Sequence, residues 1–110
     1  LLNLHAQGKI SYTTIAECFS KRAAEVFHLP QKGQITKGFD GDICIVRKLE
    51  LPYRFDKEQM HIKCKEAAVI YDGMPMNYEI AATILGGNVV YDHKKMLLQK
   101  GTARILKRYE

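Results

Sequence analysis

Residues 38–46 read Gly-Phe-Asp-Gly-Asp-Ile-Cys-Ile-Val, a glycine-rich turn that runs directly into four apolar residues. Glycine and aspartate favour turns, because glycine adopts left-handed backbone angles and aspartate accepts hydrogen bonds from nearby backbone amides. The apolar run at 43–46 is rich in β-branched residues and carries no charge, which is typical of a strand buried on both faces. This stretch therefore predicts an inner strand that other layers of protein must cover.

Downstream, two apolar runs at 80–85 and 89–91 flank the sequence Gly86-Gly87-Asn88. Such a turn requires positive φ angles, which glycine and asparagine adopt readily, so the pattern predicts a β-hairpin. We expect residues 96–98 to return as a further strand. Residues 101–110 are expected to form a tail.

Upstream, apolar residues recur at the spacing of an amphipathic helix. Two starts are open: Ser11 as N-cap, or a capping box formed by Thr14 and Glu17. The helix should end before Pro30, since the residue preceding a proline avoids the α region. Whether residues 20–22 interrupt it stays open. The apolar stripe, expected to pack against the sheet, consists of Ile15, Cys18, Phe19, Ala23, Val26 and Phe27.

The remaining segments are less regular. Residues 34–36 and 51–55 are predicted as short strands, the second at an edge because it contains a proline. Asp56 is predicted to cap a single helical turn that ends at residue 60, and residues 66–76 are predicted as an extended loop with a turn at 72–73. The fold class is therefore α+β, with an N-terminal amphipathic helix followed by a small, mostly antiparallel sheet.

Composition limits the classes of function. The chain has 110 residues, 46% hydrophobic and 26% charged, with a net charge of +5, which fits a globular domain and excludes a wholly disordered chain. It contains no apolar run of the roughly 18 residues that a membrane span requires. The basic residues of 93–108 are interrupted by 96–98, so we interpret them as solvated surface and expect neither a nucleic-acid nor a membrane partner. Three widely spaced cysteines favour a reducing compartment, and we expect the cytoplasm.

Motifs that carry chemistry are scarce. His61 and Cys64 have the spacing of two metal ligands, but a zinc site needs three or four. Asp40 and Asp42 could act as an acid–base pair, although aspartates beside Gly41 are better explained by turn formation. We therefore predict no catalytic, cofactor-binding or metal-binding residue in this chain.

The order of these pieces nevertheless resembles one family. Residues 32–46 are similar to the pattern K-G-x-I-x-x-G-x-D-A-D-L-V-I-V, with Gly41 in place of alanine. This pattern, found near the C-terminal end of metal-dependent amidohydrolases, resembles most closely here the cyclic amidohydrolases: dihydroorotase, allantoinase and dihydropyrimidinase. Further similar segments are 8–11 (GKIS), 20–30 (SKRAAEVFHLP) and 82–91 (ATILGGNVVY).

Two segments depart from the family pattern. In 20–30, Arg22, Ala23 and His28 replace the usual asparagine, proline and glycine. In 64–73, Tyr71-Asp72-Gly73 fits the end of the branch motif S-P-F/Y-x-G, whereas Val69 and Ile70 replace its serine and proline. Dihydroorotase is favoured slightly, only because it is the more widespread activity, with allantoinase and dihydropyrimidinase as alternatives.

The resemblance implies a fold in which a (β/α)8 barrel lies beside a β-sandwich built from both chain ends. Residues 1–30 would be the helical region flanking the barrel, and 31–100 the C-terminal part of the sandwich. The family's zinc ligands and catalytic aspartate lie in the barrel, so we expect the parent to be an enzyme and this segment to be inactive. A start at Leu1 without methionine fits a segment of a longer chain.

Two hypotheses of other classes accompany this one. The chain could be a free-standing β-domain that binds a protein or a polyanion, or a short paralogue that lost its barrel. In the favoured hypothesis its partners are the barrel and the N-terminal strands of its own parent. Self-association through open sheet edges is also expected.

Overall fold

A computed structural model of the chain describes residues 1–61, 63–97 and 106. Helix α1 covers Leu2–Ala6. A continuous helical segment then runs through residues 12–26. It consists of α2 (Tyr12–Ala16), a π turn (Glu17–Lys21) and α3 (Arg22–Val26). The question left open at residues 20–22 is therefore answered by the π turn, which changes the helical repeat without breaking the helix.

Local sequence signals place both ends of this segment. The Ser11 side chain accepts a hydrogen bond from the Thr14 amide at 3.1 Å, which confirms Ser11 as the N-cap. At the other end, the amide of His28 donates to the Glu25 carbonyl, and the amide of Leu29 donates to the Ala24 carbonyl. This pair of bonds is a Schellman motif, with His28 in the left-handed position at φ 51°.

Four antiparallel strands follow in the order β1-β2-β3-β4. Their bounds are β1 Ile43–Arg54, β2 Pro75–Leu85, β3 Asn88–Asp92 and β4 Lys95–Met96. The predicted hairpin is confirmed as β2–β3. Its turn residues Gly86 and Gly87 have φ angles of 56° and 82°, as a two-residue hairpin turn requires.

Several predicted boundaries are wrong. Residues 51–55 form no separate strand, because β1 continues to Arg54, and residues 34–36 form no strand. The predicted loop 66–76 contains a 3-10 helix, Lys65–Tyr71, before β2 begins. The helical turn capped by Asp56 is confirmed as a 3-10 turn. The strand expected at 96–98 ends at Met96; Leu98 and, apart from residue 106, the tail 101–110 lie outside the described residues.

The α+β class is confirmed, but the expected burial is not. Among the described residues, the buried apolar side chains are those of Ala24, Ala68 and Tyr78. Ile45 and Val46 are 45% and 39% exposed, so the prediction of a strand buried on both faces is wrong for this chain. An apolar run of this kind indicates that other elements should cover both faces of the strand. In the described part of this chain, few elements cover them.

The apolar stripe of the helix is open as well. Phe19, Val26 and Phe27 are 73%, 71% and 53% exposed, so the expectation that this stripe packs against the sheet is wrong. The buried side of α3 is instead that of Ala24. Across the described part of the chain, no helix combines the length and apolar character that a membrane crossing demands.

Candidate functional site

The two aspartates considered for acid–base chemistry meet a single lysine. The Lys32 ammonium lies 2.9 Å from the Asp40 carboxylate and forms a second ion pair with Asp42. Asp42 also accepts a hydrogen bond from the Gly86 amide at 2.7 Å. The loop before β1 is thereby tied to the turn of the β2–β3 hairpin. We call this group of residues the hairpin clasp.

The electrostatics of the clasp oppose a role as general base. Hydrogen bonds from Lys32 and from the Gly86 amide lower the pKa of Asp42, while the bonds to Asp42 and Asp40 raise the pKa of Lys32. A carboxylate with a lowered pKa binds a proton weakly, so Asp42 is a poor base near neutral pH. Asp42 instead accepts a backbone hydrogen bond in the loop before β1, which is the structural role that its sequence interpretation preferred.

Close backbone approach completes the clasp. The Gly87 amide donates to the Gly41 carbonyl at 3.0 Å. A Cβ atom built on Gly41 would lie 3.1 Å from the Gly87 nitrogen, which is tighter than usual contact. The family pattern has alanine at position 41. Glycine at this position leaves room for the hairpin turn, whose backbone lies directly against it.

The pair considered for a metal site is not joined by further ligands in the part of the chain that the structure describes. His61 and Cys64 are both exposed, and the ring of His61 lies edge-on to Tyr91 with centroids 6.3 Å apart. Within residues 1–61, 63–97 and 106, no group of three or more His, Cys, Asp or Glu side chains could hold a metal ion. The described residues therefore do not fit a zinc centre.

A second cluster joins α1 and α2 to the sheet. Tyr78, which is 5% exposed, shares hydrogen bonds of 2.8 Å with Nδ1 of His5 and 2.9 Å with the hydroxyl of Tyr12. The rings of His5 and Tyr12 stack with centroids 3.7 Å apart. The bond to Tyr12, together with burial, raises the pKa of Tyr78 to about 12. This phenol therefore stays protonated near neutral pH, and its hydrogen bonds link α1 and α2 to β2.

Sequence reasoning missed this aromatic cluster. His5 and Tyr12 lie 73 and 66 positions before Tyr78, and no local spacing connects them to it. The one available signal is Tyr78 itself, a large aromatic in a strand-forming segment, since buried tyrosines usually find a partner for the hydroxyl.

Residues 12–26 leave an apolar side of the helix open. Phe19 extends from the π turn, and Val26 and Phe27 lie at the end of α3. Charged side chains lie beside them around an open cleft of about 370 Å³, which is lined by Glu17, Lys21, Arg22, Glu25 and Val26. This arrangement offers apolar contact area bordered by charge, as protein–protein interfaces do.

No protein-family model matches the sequence. Curated relatives do. An allantoinase of Bacillus velezensis is 34% identical over 91 residues, which cover 83% of this chain and 19% of the relative. A dihydropyrimidinase of Dictyostelium discoideum is 31% identical over 108 residues, covering 92% and 20%. An L-hydantoinase of Paenarthrobacter aurescens is 27% identical over 103 residues, covering 93% and 22%.

The fold agrees with these sequence matches. The solved structure of L-hydantoinase (dihydropyrimidinase) from Arthrobacter aurescens superposes with a TM-score of 0.80 at 26% identity and covers 96% of this chain. In sequence and fold the chain matches a fragment of a cyclic amidohydrolase. It spans about a fifth of the length of the curated relatives it matches. The resemblance drawn from residues 32–46 and 82–91 is thereby confirmed.

Proposed function

We propose that this chain is the non-catalytic C-terminal portion of a metal-dependent hydrolase that opens cyclic amides by cleaving a C–N bond. The observation that carries the proposal is the exposed apolar side of residues 12–26, combined with similarity to about a fifth of each relative. In this proposal the stripe docks on the barrel of the parent enzyme, and the sheet becomes part of its β-sandwich. The parent would act in the cytoplasm.

The energetics favour a docked stripe. Burying a phenylalanine or valine side chain contributes about 1.5–3 kcal/mol. Phe19, Val26 and Phe27 leave much of that stabilisation unrealised in this chain. A partner that covers all three side chains would add this burial free energy to the stability of the complex. This accounts for large apolar residues on a helix that buries so little side-chain area in this chain.

The names of the relatives bear on which cyclic amide the parent enzyme would open. The reported relatives are named allantoinase, dihydropyrimidinase and L-hydantoinase, which favours rings of those types. The expectation of dihydroorotate rests on how widespread that activity is, and it stays a prediction. Zinc, expected in the parent's barrel, finds no three-ligand group among the described residues, so we derive no step through a metal here.

A chimera tests the proposal. Replacing the matching segment of the L-hydantoinase with this chain should preserve hydantoin hydrolysis, because the two segments share a fold. Phe19→Asp in the chimera should lower the yield of active enzyme, since the charge would lie in the docked surface. Leu51→Asp is the matched control, because Leu51 is 84% exposed and lies outside the stripe.

The isolated chain supplies the complementary measurement. With zinc added, it should open neither allantoin, hydantoin, dihydrouracil nor dihydroorotate. Ring opening by the purified chain, with zinc bound at one ion per chain, would overturn the non-catalytic assignment. Salt-dependent binding of a polyanion would instead favour the free-standing binding domain.

A further inference from the structure

Two sets of polar contacts hold the helical segment of residues 12–26 to the sheet, and they lie far apart along β2. The first is the aromatic cluster, in which the buried Tyr78 hydroxyl bonds both His5 and Tyr12. The second is the hairpin clasp, which reaches the Gly86 amide directly after the end of β2. Positions 78 and 86 are about 26 Å apart in an extended strand, at roughly 3.3 Å per residue.

Asn3 strengthens the first of these contacts. Its side-chain amide donates to the Pro75 carbonyl at 2.8 Å, and its side-chain oxygen accepts from the Asn77 amide at 3.2 Å. The rings of His5 and Tyr12 stack on each other in the same place. Helix α1 and the start of α2 are thereby fastened to the first residues of β2.

The second contact reaches the helical segment through the loop before β1. Gly33 lies against Ala24, the buried residue of α3. The adjacent Lys32 forms an ion pair with Asp42, which in turn accepts the bond from the Gly86 amide. The far part of the helical segment is thus linked to the hairpin turn by way of this loop.

Between the two contacts the helical segment has little to hold it. Among the described residues, no hydrogen bond, ion pair or ring contact joins residues 13–27 to a strand. Within residues 12–26, all of which the structure describes, Ala24 is the one buried side chain. The direction in which the apolar stripe points therefore depends on both contacts, because a segment fastened at one point can pivot about it.

We propose that the aromatic cluster and the hairpin clasp act as a pair of anchors that preorganise the apolar stripe for docking. This proposal rests on the proposed function, in which the stripe docks on the barrel of the parent enzyme. Fixing a surface in its bound orientation before association lowers the entropy cost of binding. Both anchors form within this chain, so they do not depend on whether the barrel covers the stripe.

Distances between two spin labels in the 110-residue chain test the anchors. One label is attached to Cys18, which is exposed in the π turn. The other is attached at Glu50→Cys, an exposed position of β1. Cys44→Ser and Cys64→Ser remove the remaining thiols.

Loss of either anchor should loosen the segment. Tyr78→Phe and Asp42→Asn should each widen the distance distribution by about twofold, because a segment held at one end opens locally. Tyr12→Phe removes one of the two bonds to Tyr78 and should widen it less. Tyr53→Phe is the matched control, since the Tyr53 hydroxyl forms no hydrogen bond within the described part of the chain. Circular dichroism should show that all four variants keep their helix and sheet.

The chimera with the L-hydantoinase connects the anchors to docking. Tyr78→Phe and Asp42→Asn should each lower the yield of active enzyme, but by less than Phe19→Asp does, since they loosen the stripe without changing its side chains. Tyr53→Phe should leave the yield unchanged.

Several outcomes would overturn the proposal. Distance distributions that stay narrow in both anchor variants would do so, and so would equal widening by Tyr53→Phe. Wider distributions combined with an unchanged yield of active chimera would show that docking needs no preorganised stripe. A chimera that tolerates Phe19→Asp would instead overturn the docking surface itself, and the proposed function with it.

Discussion

At the end of α3, His28 occupies a backbone position that favours glycine. Its φ angle is 51°, and its amide closes the Schellman motif with Glu25. A side chain in the left-handed region costs about 1–2 kcal/mol. Replacing it with glycine, the residue usual at this position in the family pattern, should therefore relieve strain.

We expect His28→Gly to raise the free energy of unfolding by about 0.5–1 kcal/mol, because the relief of strain exceeds the added freedom of the unfolded chain. Urea unfolding followed by circular dichroism measures it. His28→Ala is the control, since alanine removes the imidazole and keeps the Cβ atom. Equal stabilisation by both variants would point to the imidazole rather than to the backbone.

The hairpin clasp predicts a pH dependence. Because the pKa of Asp42 is lowered from 3.8 in the folded state, its ionic contribution is present above that value and is lost as the pH falls through the lowered pKa. Lys32, whose pKa is raised from 10.5, contributes fully below that value and loses its contribution as the pH rises through the raised pKa. Between these limits the clasp stabilises the fold.

Asp42→Asn should accordingly lower the free energy of unfolding by about 1–2 kcal/mol near neutral pH, the size of a charge-assisted hydrogen bond. The difference from wild type should shrink in acid and again at high pH. Denaturant titrations across pH provide the test, with the exposed Glu50→Gln as control. A difference that persists unchanged at the lowest pH would contradict the ionic explanation.

Residue-level predictions from sequence succeed where the cause is local. Ser11 and Asp56 cap their helical turns because each bonds an amide two or three residues ahead. The contact of His5 with Tyr78 had no such signal, since its two residues lie 73 positions apart in the sequence. Asp42 accepts a backbone amide bond in the loop before a strand, as its sequence interpretation expects, whereas the ion pairs of both aspartates with Lys32 have no local sequence signal.

At the scale of elements, Gly33 determines how closely the loop before β1 approaches the helix. A Cβ atom on Gly33 would lie 2.7 Å from the Ser20 carbonyl oxygen and 2.8 Å from the Cβ of Ala24. Both distances are shorter than real contacts, so the loop would have to move away from the one buried residue of α3.

Gly33→Ala should destabilise the chain more than Gly38→Ala. Both glycines have φ angles near 90°, so each substitution carries about 1–2 kcal/mol of backbone strain. Only Gly33 adds overlap, worth about 1–3 kcal/mol more, since nothing lies within 4 Å of a Cβ on Gly38. Equal unfolding midpoints for the two variants would refute this account.

Elements whose signals are local were likewise predictable. The β2–β3 hairpin follows from its Gly-Gly-Asn turn, and the helix from its apolar spacing. The 3-10 helix Lys65–Tyr71 was missed, because its seven residues show no helical repeat long enough to detect. The apolar run at 43–46 correctly predicted a strand and wrongly predicted its burial. A sequence pattern shows which residues favour burial, but it does not show whether other elements of the chain cover them.

For the whole molecule, the accessible surface area shows how much of its own surface the chain buries. The accessible surface is 9039 Å², whereas a folded monomer of 12.6 kDa has about 6,200 Å². The radius of gyration, 15.5 Å, also exceeds the roughly 13 Å usual for this length. The chain therefore buries less of itself than an independent domain does.

We expect the purified chain to bind the dye ANS at neutral pH, because the dye reports exposed apolar surface. Phe19→Ser combined with Phe27→Ser should reduce the fluorescence with little loss of stability, as both side chains are largely exposed already. Absence of dye binding, together with a sharp calorimetric transition, would show that the chain covers these faces in solution.

The π turn at Glu17–Lys21 also bears on how this segment tolerates changes in length. A π turn accommodates one residue more than an α turn. Deleting one residue there would let the helix become regular, and the residues on either side of the turn would keep their relative orientation. A deletion within α2, by contrast, would rotate the residues before it by about 100° relative to α3, because each residue of an α-helix turns the chain by that angle. A single-residue deletion within Glu17–Lys21 should thus be milder than one within Tyr12–Ala16.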